Sequence, residues 1–399
     1  MRKVNVDHLA PRYLIRVEGT KLKADVTQFI RGVEYHEDED SASRISLTVA
    51  NPRFRFLESK IFAEGNRVDL WMGYVGRPLR FQNRGIIVRP NPLFPRGGMP
   101  VLNVVAHDVS RKLMEPGEGD KGKLYRKKRD SDIASEIFRE IEAAPFVYET
   151  RAIQTRVRKR GVSKWEFLRR LARLHNFVVF TRYDPTRNVT YGFFGPPDQE
   201  DQPRKYSFVY GSGEPDATCL EFYPDLSLAS QETELTLVYT DPKKRKTYSL
   251  QLKVRGKTAE VTKFSGVSGT RELKKEIRNG TEVQLTVFGQ RAEVVPGKRF
   301  SSVREAKRWA AAWWARRESE FAFATGTVLG EADLRRGQVH AFRGLGNRLS
   351  GDWQLTSVTQ RQDGRSLFES SFSARKVVLA SVVGAPDSVS NVRREEAAQ

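Results

Sequence analysis

The chain has 399 residues, 39% hydrophobic and 10% aromatic, which is too long for one ordinary core and predicts two to three domains. Its single cysteine, Cys219, excludes an intrachain disulfide and a cysteine-based zinc cluster, and no window approaches the ~18 continuous apolar residues of a membrane span or opens the chain as a signal peptide. Lys and Arg number 69 against 49 Asp and Glu, so the net charge is +20, which suggests a polyanionic or acidic protein partner where it does not serve solubility alone.

Residues 1–113 read as all-β. Tyr13–Gly19 alternates and ends at glycine, and Phe29–Tyr35 is a second strand. The acidic loop His36–Asp40 leads to Ser43–Val49, where Ile45, Leu47 and Val49 share one face at period two. Val68–Tyr74, Leu79–Val88 and Val101–His107 continue the pattern. Pro90, Pro92, Pro95 and Gly97-Gly98 predict a long stiff connection between the last two.

From 114 to 205 the periodicity changes. Lys123–Arg129 reads as a basic linker, and Ile133, Ile137 and Ile141 line one face of a helix over 132–143. Ser163-Lys-Trp-Glu166 is a capping box opening a second helix. Its apolar stripe is Phe167, Leu168, Leu171 and Leu174, and its solvated face is Arg169, Arg170 and Arg173. Phe177–Thr181 and Val189–Phe194 predict a hairpin around Asp184-Pro185.

Residues 206–255 return to β. Leu220–Tyr223 and Thr233–Tyr239, with the loop between them, look like a second version of Val33–Tyr35 and Ser43–Val49; Lys246–Val254 is a further strand. Residues 256–300 are polar and glycine-punctuated, with one clear strand at Glu282–Phe288. A capping box, Ser302-Val-Arg-Glu305, starts a helix over 302–318 with Val303, Ala306, Ala310 and Trp313 on one face and Trp309 and Trp314 off it. Strands are expected at Phe321–Leu329, Gly337–Phe342, Trp353–Arg361 and Leu367–Arg375.

Self-similarity runs through this plan. Gly65–Gly73 followed by Phe81–Gly85 and a strand matches Gly337–Gly344 followed by Arg348–Gly351 and a strand, which predicts two related β units in one chain.

The sequence offers little chemistry. It holds no P-loop, His-Glu-x-x-His, Gly-x-Ser-x-Gly or paired Cys-x-x-Cys. Gly344-Leu-Gly346 is a fragment of a dinucleotide fingerprint, but the helix that must follow is absent and a β-turn explains the glycines. His8, His36, His107, His175 and His340 show no ligand spacing. His107-Asp108 is a candidate catalytic pair without a nucleophile near it in sequence. Glu34 with Glu37–Asp40 could hold a cation, but the spacing does not fit an EF-hand and favours a solvated or partner-facing loop. The basic runs Arg126–Arg129, Arg156–Arg160 and Lys243–Lys246 lack the interleaved aromatics of a nucleic-acid stacking platform.

One set of residues runs nearly end to end. It comprises Phe29…Val33-Glu-Tyr35, Ser46–Val49, Gly65…Val68-Asp-Leu70…Gly73, Gly85-Ile-Ile87, Phe94-Pro95…Gly98-Met-Pro100 and Ala106-His-Asp108…Ser110…Leu113. It continues with Asp132-Ile-Ala134, Ser163–Leu168, Leu171-Ala172, Glu305-Ala306, Gly330, Leu334…Gly337, Gly344…Gly346, Ser350-Gly351 and Phe372…Arg375. With these residues the chain resembles the baseplate hub proteins of contractile tails, the late control protein D family. It is similar as well to the hub part of type VI secretion spike proteins.

The resemblance implies a mainly β chain of two tandem tail-tube-like antiparallel barrels with an inserted α/β domain. The first barrel would span 1–113, the insert 114–205, and the second, split barrel 206–255 and 320–380. Residues 256–319 would be further insert material with helix 302–318, and 381–399 a flexible tail. It also implies a homotrimer, a ring of six barrels that adapts a six-fold tail tube to a three-fold central spike. The partners would be the spike, the tube or a tube initiator, other baseplate or wedge proteins and a tape measure. DNA or cargo would only pass through the lumen, with no membrane anchor, no cofactor, no metal and no catalytic residue. Assembly would take place in the bacterial host cytoplasm, in a virion tail or a DNA-free injection particle. Because the chain stops at Gln399, the spike is expected to be a separate protein. The rival readings are a basic nucleic-acid-binding protein and a wall-degrading tail enzyme.

Overall fold

The computed structural model describes residues 2–3, 10–116, 120–151, 153–175, 177–196, 206–211, 217–226, 234–241, 245–255, 258–265, 274–276, 292–300, helical positions within 303–317, 322–363, 368–377 and 382–383. The chain divides into two compact units, Met1–Pro224 with Phe323–Arg375, and Asp225–Ala322 with Lys376–Gln399.

In the first unit, six strands open the chain: β1 (Pro11–Val17), β2 (Ile30–Asp38), β3 (Arg44–Ala50), β4 (Arg67–Tyr74), β5 (Arg80–Leu93) and β6 (Val101–His107). They lie antiparallel in the order β2-β3-β6-β5-β4-β1. Alternation sends Ile45, Leu47 and Val49 inward, beside Val33, Tyr35, Leu70, Leu102 and Val104 in one core. The strand β5 runs through Pro90 and Pro92, where a stiff loop was expected. Among the described residues only β6 pairs with it there, because β4 reaches no further than Ile86, and a proline without an N–H is tolerated on an open edge.

The α/β module holds β7 (Lys123–Arg129), α1 (Asp130–Arg139), β8 (Ala144–Val147), β9 (Ile153–Arg158), α2 (Lys164–His175), β10 (Val178–Asp184) and β11 (Val189–Gly195). The expected hairpin is β10 and β11, with β8 added parallel to β11. Ile133, Ile137, Ile141, Phe167, Leu168 and Leu171 make its core, and the Ser163 hydroxyl caps α2 by accepting from the Glu166 N–H at 3.0 Å. The segment expected as a basic linker is strand β7, paired antiparallel with β9. Charge density hid its alternation, because Lys123, Lys128 and Arg129 are neutralised by Glu136, Glu140 and Glu149.

The chain then forms β12 (Tyr206–Val209) and β13 (Cys219–Leu226). It leaves for the second unit as β14 (Glu234–Asp241), β15 (Lys246–Arg255), β16 (Thr258–Ser265), β17 (Lys274–Glu276) and β18 (Ala292–Arg299). It returns as β19 (Ala322–Leu329), β20 (Val339–Arg343), β21 (Gly351–Asp363) and β22 (Glu369–Lys376). The second barrel has the order β13-β19-β22-β21-β20-β12, and a bridge from Tyr210 to Cys219 brings β13 back beside β12. Numbered by appearance, both barrels follow the order 2-3-6-5-4-1. They differ at the last pairing: β12 is parallel to β20, whereas β1 is antiparallel to β4.

The glycine repeat has a geometric counterpart. Gly65 and Gly337 have φ of 87° and 85°. The Gly65 N–H donates to Ile87 O and the Ile87 N–H to Asn66 O, while Gly337 donates to Leu355 O and Leu355 to Gln338 O, all between 2.7 and 2.8 Å. The segment 233–239, expected as the partner of β13, is not that partner: β13 pairs with β19, and β14 with β15 and β18. Periodicity identified the strands, but it carries no information on which strand each will join.

In the second unit the sheet order is β18-β14-β15-β16-β17, followed by the pair Val382–Val383, which lies in the segment expected as a loose tail. Leu235, Leu237, Tyr239, Leu250 and Leu252 pack with the helical residues Ala306, Ala310 and Trp314. The buried stripe is therefore 306, 310 and 314, with Trp313 only partly buried; an i, i+4, i+8 spacing outranks the expected Trp313 face. Trp314→Ala is expected to cost the second unit about 3–5 kcal/mol, read as a lowered denaturant midpoint for the loss of its near-UV signal. The expected strand Glu282–Phe288 and the capping pair Ser302 and Glu305 lie outside the described residues.

Candidate functional site

The first barrel, the α/β module and the second barrel meet at a buried cluster of charge. Glu37 on β2 is 1% exposed. Its carboxylate accepts from the Tyr35 hydroxyl at 2.8 Å and from the Arg336 backbone N–H at 2.6 Å, with Arg182 of β10 at 3.8 Å. The Arg336 guanidinium donates to Val179 O at 3.0 Å and lies over the Phe180 ring. Its neighbour Arg335 donates to Ala332 O, Leu334 O and, across the junction, Phe81 O at 2.8 Å. Beside them Arg84 makes a bidentate pair with Asp69 at 2.6 and 2.8 Å and stacks over Tyr183 of the module. Charged groups this buried persist only when paired and hydrogen-bonded, so the cluster fixes the three parts against one another. In sequence Leu334-Arg-Arg-Gly337 reads as a loop between strands; nothing local marks its two arginines as buried.

The two barrels are also joined directly. Residues 357–363 of β21 pair antiparallel with residues 32–38 of β2. At this seam the His36 ring meets Thr359 Oγ1 at 2.8 Å and Asp38 at 3.0 Å, and Arg375 reaches Glu39 at 3.3 Å. The acidic loop is therefore largely satisfied within the chain. Asp38 accepts from the Asp40 and Ser41 N–H groups, Glu34 pairs with Arg44, and Asp40 with Arg169. Among the described residues no group of three His, Cys, Asp or Glu could hold a metal ion.

The remaining sequence candidates fall apart as chemistry. Asp108 caps the short helix Val109–Leu113, accepting from the Ser110 N–H at 3.0 Å. Burial raises its carboxyl pKa, and hydrogen bonds from Ser110 and Ser43 with the Arg336 charge hold it back. His107 is pushed down by burial and by Arg111 and Arg44. His340 is buried between the Tyr206 N–H and Gln338, and His8 lies outside the described residues. Gly344 and Gly346 have φ of 77° and 71°, and only a single helical turn, Gly346–Leu349, follows. A pocket of about 400 Å³ in the module is lined by Asp120, Glu140, Arg158 and Lys164, cations and carboxylates already paired with each other.

A histidine–carboxylate pair does exist, at a place sequence spacing did not flag: His175 Nε2 lies 2.8 Å from Asp130, which also accepts from Arg156 at 2.7 and 2.6 Å. Burial raises the Asp130 carboxyl, but the His175 and Arg156 bonds outweigh it and the pKa is lowered. Its stabilising contribution is therefore complete above its ordinary value of 3.8 and is lost as pH falls through the folded value. Asp130→Asn is expected to flatten the loss of stability below pH ~4, measured by urea midpoints across pH; an unchanged slope would count against the pairing.

The molecule so described is a scaffold of two related barrels with an inserted module, held by buried salt links. It has the fold of tail proteins. A tail protein from Neisseria meningitidis superposes with a TM-score of 0.64 at 10% identity, over 92% of this chain and 97% of that one. The 43 kDa tail protein of prophage MuSo2 from Shewanella oneidensis gives 0.60 at 10% identity, over 92% and 98%. An E. coli component of the type VI secretion system, described as similar to T4 bacteriophage tail proteins, gives 0.54 at 12% identity, over 92% and 77%. Over residues 9–363 the chain matches the family described as the Alg8 N-terminal domain, and it belongs to that family. No curated protein matches it by sequence. Among the described residues no helix is long and apolar enough to cross a membrane.

Proposed function

We propose that the chain is the structural hub of a contractile-tail baseplate, a homotrimeric ring that adapts a six-fold tube to a three-fold spike. The observation that supports this most is the seam. Two barrels of the same strand order are already joined edge to edge by β21 and β2. Three copies continuing that junction would close six barrels and leave no barrel edge unpaired. The tail fold of the structural neighbours supports the same reading. The role is geometric: a rigid collar, locked by the Glu37–Arg336 cluster, that transmits load between spike and tube. Its partners are the spike, the tube or its initiator and the surrounding baseplate proteins, in a virion or in a DNA-free injection particle. Negative-stain class averages of the purified chain should show a three-fold ring of six densities; isolated two-lobed particles at every concentration would count against the ring.

A further inference from the structure

Counted in the order the two barrels share, the seam joins the fifth strand of the second barrel, β21, to the second strand of the first, β2. The fifth strand of the first barrel, β5, and the second strand of the second, β13, are left over. β5 is built like β21 up to the point where the seam begins. β4 stops pairing with β5 at Ile86, and β20 stops pairing with β21 at Gln354, each one residue before the matched bonds of Ile87 and Leu355. Beyond that point Ser357–Asp363 lie against β2, and Val358 and Gln360 are fully buried. At the same distances after Ile87 stand Pro90 and Pro92, only half-buried, and past them Leu93 and Phe94 are 45% and 61% exposed. β13 differs from β2 in the same way. Val33, Tyr35 and Glu37 of β2 are buried. On β13, Leu220 shares a face with Phe222, which packs on Phe342 and Trp353, yet Leu220 is 41% exposed and Tyr223 62%. Single exposed apolar residues need no explanation, but here two strips of them fall on the two strands that the repeat leaves over.

We propose that these strips meet between copies of the chain: Val88–Phe94 of one copy lies against Leu220–Pro224 of the next, antiparallel, as β21 lies against β2. The two strips differ, so the contact is heterologous, runs in one direction and can close into a ring. Pro90 and Pro92 carry no N–H, so a ladder across copies has fewer donors than the internal seam. The contact therefore depends on burying Val88, Leu93 and Phe94 against Leu220 and Tyr223. Exposed Arg89 on one strip and Glu221 on the other are complementary in charge. The contact rests on the hub reading and gives its ring a defined surface.

The test uses the full chain, alone or with a candidate spike protein, in whichever state the unaltered chain is trimeric. Phe94→Glu and Tyr223→Glu replace exposed side chains, so each should keep its circular dichroism. Light scattering over a dilution series should show each raising the concentration at which the trimer dissociates by about tenfold or more, because a carboxylate would enter an apolar contact. The double variant Leu93→Cys, Tyr223→Cys should be joined into covalent trimers by a short bismaleimide; the native Cys219 is buried. Either substitution alone should give no link between copies, since the two positions meet each other and not themselves. A trimer that both glutamate variants leave intact would overturn the contact and spare the hub reading. Linking between copies by one cysteine substitution alone would also overturn it, because each strip would then meet its own kind. An unaltered chain that stays single with the spike present would overturn the hub reading and the contact together.

Discussion

Replacing Glu37 by alanine is expected to cost the first unit about 3–5 kcal/mol, the range for removing one partner of a buried ionic cluster. The loss has identifiable parts. The Arg336 N–H and the Tyr35 hydroxyl lose their acceptor, and Arg182 loses a carboxylate 3.8 Å away. Glu37→Gln keeps an acceptor oxygen and should cost less, about 1–3 kcal/mol. The exposed Glu58→Ala is the control and should stay within about 0.5 kcal/mol. Urea unfolding of the three variants separates them. A Glu37→Ala loss no larger than the control would mean that the three parts are not locked through this carboxylate.

Gly344→Ala should destabilise by about 2–5 kcal/mol, the sum of a left-handed backbone cost and an overpacking cost. Gly344 has φ of 77°, and a Cβ there would lie 2.0 Å from the carbonyl oxygen of Tyr210, which is backbone and cannot rotate away. Gly19 has a similar φ of 76° with nothing within 4 Å of the added carbon. Gly19→Ala should therefore cost only the backbone part, about 1–2 kcal/mol. The difference between the two variants measures the close approach of β20 to the Tyr210 bridge. Equal losses would show that this approach carries no weight.

These glycines also mark how far the sequence could be read. The pattern 65–73 and 337–344 pointed to two related units because each requires a positive φ at a glycine, and positive φ constrains residue type directly. The face of Ile45, Leu47 and Val49 and the strand at 233–239 were legible for a similar reason, since alternation is a local property. Pairing is not local. Nothing in Leu220–Tyr223 says that its neighbour is 322–329 rather than 234–241, because the stretch Asp225–Ala322 between them belongs to a separate compact unit. The basic segment 123–129 hid a strand because its counter-charges sit on α1 and beyond. The charge cluster was illegible for the same cause: Glu37 looked like one of five solvated loop residues, and its partners lie about 145 and 300 positions away.

A three-fold ring is tested most directly by the mass of the purified chain by light scattering at low and high salt, with and without a candidate spike protein. Three chain masses are expected, alone or once the spike is added, with the same value at both salt concentrations. A single chain mass that the spike does not change would contradict it.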